Sequence, residues 1–200
     1  MKMTAQQRSD MMLHAPVQKI IPRLAVPTIC SMLITSIYNM ADTFFVSQLG
    51  TSASGAVGIV FGYMALIQAI GFMFGQGTGS VISRAMGAKD EETVNIYAST
   101  GFFCSLIVGV IMSVVSILFM DPILVALGST KTILPFARDY IGMIILACPF
   151  IMSSFALNNI LRFQGKAILA MVGLVTGGVL NILGDWLLIS VLKLEILGAG

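Results

Sequence analysis

Polar positions along this chain are sparse and come in short groups between long apolar stretches. A helix needs about 20 apolar residues to cross the hydrocarbon core of a bilayer. The pattern predicts five such helices, over about 20–46, 55–82, 93–120, 132–161 and 167–192, after a polar tail over 1–19. A sixth begins after 197. Gly50–Gly55 (GTSASG) reads as a tight turn, no charge occurs from Thr43 to Ser83, and Asp121-Pro122 closes the third run. The first apolar run follows a polar leader and lacks a small-residue cleavage site, so it reads as a retained helix and not a secretory signal.

Composition turns this pattern into a class. The chain is 57% hydrophobic and 10% charged, whereas soluble domains carry about 25% charged residues. It is therefore read as an all-α membrane protein. A net charge of +2 with dispersed basic residues excludes nucleic acid as a partner and leaves membrane lipid as the surroundings. Cys30, Cys104 and Cys148 lie in apolar runs and read as small hydrophobes, neither disulfides nor metal ligands. His14 falls in the polar tail.

Basic residues set the orientation. With the N-terminus in the cytoplasm, the inside segments hold Lys2, Arg8, Lys19, Arg23, Arg84, Lys89, Arg162 and Lys166, eight of the eleven. Lys131, Arg138 and Lys193 fall outside.

Two acidic residues, Asp42 and Asp185, fall well within apolar stretches. An ionisable group there costs at least a few kcal/mol, so it marks cation binding, proton binding or acid–base chemistry. Asp42 follows Arg23 by 19 residues, and Asp185 follows Lys166 by 19. Each climbs about 28 Å along its helix, which places both at one depth in the outer half of the membrane. Asn181, four residues before Asp185, shares its helix face. Tyr38 and Asn39 precede Asp42, and Tyr140 lies at a similar depth on the fourth helix. Carboxylates, amides and phenols together suit a hydrated cation or a shared proton; Asn and Tyr also bond helices to one another in transmembrane bundles. Asn158 and Asn159 lie lower, where they line a cavity or cap a helix.

Pro27 sits inside the first helix and removes a backbone hydrogen bond, which allows a bend there; Pro149 does the same in the fourth. Gly71/Gly75, Gly58/Gly62 and Gly173/Gly177 have the spacing that lets helices approach closely. The 14 methionines and 12 phenylalanines suit an adaptable apolar cavity, or simply core and lipid-facing surface.

Several of these segments, in order, carry a family resemblance. Tyr38-Asn39-Met40-Ala41-Asp42-Thr43-Phe44-Phe45-Val46 with Leu49-Gly50 resembles the first-helix signature of the multidrug and toxic compound extrusion (MATE) transporters. Gly77-Thr78-Gly79-Ser80 with Ser83-Arg84-Ala85-Met86-Gly87-Ala88-Lys89 resembles the end of their second helix and the loop after it. Leu157-Asn158-Asn159-Ile160-Leu161-Arg162-Phe163-Gln164-Gly165 and Leu180-Asn181-Ile182-Leu183-Gly184-Asp185 resemble parts of the fourth and fifth. Trp186 stands where many relatives have proline.

The resemblance implies five helices of a six-helix N-terminal lobe, and a partial or truncated transporter that lacks its C-terminal lobe. It implies export of cationic or amphipathic drugs across the bacterial inner membrane in exchange for H⁺ or Na⁺, with no other cofactor. Asp42, Asp185 and Asn181 would hold the coupling ion, Tyr38, Asn39, Tyr140 and Asn158 would line the substrate cavity, and Pro27 would be the hinge. Of the alternatives, a lipid-linked precursor flippase favours basic cavities. An intramembrane aspartyl protease needs Gly-x-Gly-Asp, and Ile182 occupies the place of its first glycine.

Overall fold

In hydrocarbon every backbone N–H and C=O must be satisfied within the segment, so each apolar run is driven into helix. The computed structural model describes residues 16–47 and 50–187, and among these there is no strand. Helices α1 (Val17–Ser47), α2 (Thr51–Gly87), α3 (Glu91–Leu118), α5 (Leu134–Phe163) and α6 (Ala167–Asp185) are each long and apolar enough to span a membrane. A short α4 (Met120–Ala126) lies between α3 and α5. The start of a sixth span and most of the N-terminal tail lie outside the described residues.

The turns follow local chemistry. Asp90 caps α3 by accepting the Thr93 N–H at 3.0 Å and its hydroxyl at 2.6 Å, and these bonds hold its carboxyl below the usual carboxylate range. Asp121-Pro122 does not simply end the third run. The break comes at Phe119, and Pro122 enters the first turn of α4, where its missing N–H leaves no gap. Asp121 then accepts from the Arg138 Nε at 2.6 Å, tying α4 to the start of α5; the guanidinium lowers the carboxyl pKa. Gly165 takes φ +68° in the turn that reverses the chain between α5 and α6.

Helices α2, α3 and α5 form a tight block. Lipid supplies no hydrophobic drive between helices, so close packing across small residues does the work. A Cβ on Gly71 would stand 2.9 Å from Phe155 Cβ, and one on Gly75 2.7 Å from Asn159 Cβ. The Phe163 ring covers Gly79. The buried face of α3 is Gly101, Ser105, Gly109, Ser113 and Ser116, and a Cβ on Gly109 would meet Pro149 Cα at 2.6 Å. Gly173 and Gly177, expected to bring helices close, have no heavy atom within 4 Å of where a Cβ would be. They face open space because α6 does not press on a neighbour there.

Pro149 cannot donate to the carbonyl four residues earlier. That carbonyl, Ile145 O, instead accepts from the Ser113 hydroxyl of α3 at 2.6 Å. Nearby, Tyr63 and Ser116 bond hydroxyl to hydroxyl at 2.6 Å, joining α2 to α3. Ser113→Ala is expected to lower stability by about 1–2 kcal/mol, since it orphans a buried carbonyl. In a Pro149→Ala background the new N–H satisfies Ile145, and the cost of Ser113→Ala shrinks. Thermal unfolding of the four proteins in detergent measures this; equal costs in both backgrounds would refute the assignment.

Helices α1 and α6 form a second unit, packed along one another. Their buried positions are small: Pro27 and Ser31 on α1, and Ala167, Ala170 and Gly178 on α6. This pair meets the block only lightly, through α1 on α2 and α6 on α5.

Candidate functional site

Between the pair and the block lies a cavity of about 750 Å³, bounded by α1, α2, α5 and α6. Its wall is mostly apolar, with six polar side chains: Thr35 and Asn39 from α1, Gln68 from α2, Ser154 and Asn158 from α5, and Asn181 from α6. Helical spacing explains this convergence. Thr35 and Asn39 are four apart, as are Ser154 and Asn158, so each pair shares a face. Gly173, Gly177 and Asn181 repeat the same interval on α6, and the two glycines leave room where side chains would otherwise fill the cavity.

The four carboxamides do not behave alike. Asn158 donates through Nδ2 to Ala170 O at 3.0 Å, bridging α5 to α6 across the cavity wall. The side chains of Asn39, Gln68 and Asn181 have no hydrogen bond to another described residue. A carboxamide offers two donors and an acceptor with two lone pairs, so three of the four can turn to whatever occupies the space. Along α1 the Ser31 and Thr35 hydroxyls donate back to Pro27 O at 2.8 Å and to Ser31 O at 2.9 Å. Such back-bonding loosens and bends a helix, and it falls just after Pro27, which is buried.

The structure brings together Asn39, Asn158 and Asn181 of the residues predicted from sequence. Tyr140 is 2% exposed and packs in the core between α2 and α5, outside the residues that line this cavity. Its four-residue register with Ile144, Cys148, Met152 and Ala156, all buried, turns it toward the block. Asn159 likewise packs against Gly75 and bonds to Phe155 O at 2.9 Å. Asp42 and Asp185 occupy α1 and α6 near the cavity asparagines, three residues beyond Asn39 and four beyond Asn181; their side chains, and that of Tyr38, lie outside the described residues. Methionine is a minor part of the wall, represented by Met64. Gln68, Thr35 and Ser154 were not foreseen. An amide midway along a charge-free apolar run was the available signal for Gln68. No cluster of three metal-ligating side chains occurs among the described residues.

Membrane-length helices around a polar-studded cavity mark a multi-pass helical membrane protein. Residues 27–187 match the MatE family model, and the chain belongs to that family. It is 31% identical over 182 residues to the multidrug export protein MepA of Staphylococcus haemolyticus, an alignment covering 90% of this chain and 40% of that protein. Among solved structures it resembles a multidrug resistance MATE family transporter in an outward-facing conformation, with TM-score 0.90 and 31% identity over 100% of this chain and 44% of that one. MATE structures in conformations described as bent and straight match with TM-score 0.89 and 31% identity each, over 99% of this chain. They are covered to 44% and 43% of their own length. The chain thus spans about 40% of the relatives it matches. The family is one of transporters, not enzymes, and the protease reading falls with that.

Proposed function

We propose that this chain forms most of the N-terminal lobe of a secondary efflux antiporter in the bacterial inner membrane. It exports cationic or amphipathic drugs in exchange for H⁺ or Na⁺. The observation that carries this reading is the amide-lined cavity between α1, α2, α5 and α6, with Asp42 and Asp185 about one helical turn beyond its asparagines. The apolar wall takes the body of the drug, and Asn39 and Asn158 with Tyr38 take its polar groups. Asp42, Asp185 and Asn181 hold the coupling ion.

Coupling requires that the ion bind one conformation better than another, since a ligand with equal affinity for both shifts nothing. The loose seating of α1 and α6 on the block supplies a second arrangement for the pair, and Pro27 supplies the bend. Relatives captured bent and straight fit that reading.

The test is drug movement in vesicles, with pH and Na⁺ gradients imposed separately on the protein. One gradient is expected to drive drug against its own gradient, and collapsing it to stop accumulation. Drug movement indifferent to both gradients would defeat the antiport reading.

A further inference from the structure

We infer that Gln68 is a specificity-determining residue that recognises uncharged hydrogen-bonding groups on the transported molecule. The inference rests on the drug-binding reading above and adds a recognition group on a wall where none was expected.

The argument begins with what surrounds Gln68. It lies in α2, the longest helix, and no charged residue occurs between Thr51 and Ser83. Its cavity-facing neighbours on that helix are Phe61, Met64, Ala65 and Ile67, none of them polar. Gln68 is half-buried and lines the cavity, and its amide bonds to no other described residue. With no partner among the described residues, this half-buried amide keeps its donors and acceptor free for whatever occupies the cavity.

Its chemistry then defines what it selects. A carboxamide both donates and accepts, and it carries no charge. It rewards an amine, hydroxyl or carbonyl and is indifferent to a cation that has none. The side chain stands on the tight α2/α3/α5 block, which fixes its position, whereas Asn39 and Asn181 ride on the loosely seated pair. A group with a fixed position discriminates between ligands better than one that moves with them. Asn158 also stands on the block, but its Nδ2 is engaged with Ala170 O.

Two lipophilic cations separate recognition of charge from recognition of hydrogen-bonding groups. Ethidium carries two aromatic amines, and tetraphenylphosphonium has no hydrogen-bonding group. Binding of each to the purified protein in detergent is measured for wild type, Gln68→Met and Gln68→Leu. Both variants are expected to weaken ethidium roughly tenfold, the upper range for one hydrogen bond, and to leave tetraphenylphosphonium within about twofold. Retained tetraphenylphosphonium binding also reports that the variants are folded. Wild type binding neither probe would overturn the drug-binding reading and this inference with it. Wild type binding both, with the two probes weakened alike or ethidium unaffected in the variants, would overturn the role of Gln68 alone.

Discussion

Replacing Asp42 or Asp185 with asparagine is expected to reduce gradient-driven drug efflux at least tenfold. Asparagine keeps the size and most of the polarity of aspartate but has no proton to exchange and no charge to offer a cation. If the two carboxylates are the coupling groups, either change removes the difference in ion affinity between conformations that drives the cycle. The cavity lies about a turn away on both helices, so equilibrium binding of a cation such as tetraphenylphosphonium is expected to change far less than transport. Efflux of both variants at the wild-type rate under a pH or Na⁺ gradient would remove these residues from the coupling site. Loss of binding in parallel with transport would place them in drug recognition instead.

The largest effect on folding is expected from Gly75→Leu. A single Cβ at this position would already stand 2.7 Å from Asn159 Cβ, 3.0 Å from Ala156 O and 3.1 Å from Ala156 Cα. Two of those atoms are backbone, so no rotamer change relieves the overlap. Helices α2 and α5 must separate, and the interface that opens includes the apolar core around Ile67, Ile141 and Ile145. Overpacking of this kind costs about 1–3 kcal/mol or more, and leucine adds three further carbons to the clash. Gly58→Leu is the control, because nothing lies within 4 Å of a Cβ at Gly58. Melting in detergent is expected to fall sharply for Gly75→Leu and little for Gly58→Leu. Equal melting of the two would show that α2 and α5 do not pack as described.

The membrane-spanning helices were legible in the sequence because one quantity, apolar length, decides them. Their contacts were not, since hydropathy locates lipid without saying which helices meet. Tyr140 was placed by its height along a helix, which says nothing about direction around the axis; the buried register through Ile144, Cys148 and Met152 sets it in the core between α2 and α5. Asn181 was placed by a four-residue interval from Asp185, which does carry direction, and it lines the cavity. Gln68 was passed over for the opposite reason. A neutral amide among apolar residues has no carboxylate at a four-residue interval to draw attention to it, and its place on the cavity wall appears only when the opposing helices are in place. The Gly71/Gly75 and Gly173/Gly177 intervals look identical in sequence and serve opposite ends. One pair lets α5 come close, and the other keeps a space vacant.

That vacant pair has a consequence for how such a protein can diversify. Gly173 and Gly177 border the cavity, and a methyl group added at either would meet no described atom of a neighbouring helix within 4 Å. Point mutations there can carve a smaller or differently shaped chamber while the scaffold stays as it is. The chamber can therefore be reshaped at these two glycines, whereas at Ile67, Phe155 and Asn158 its wall is also part of the packing.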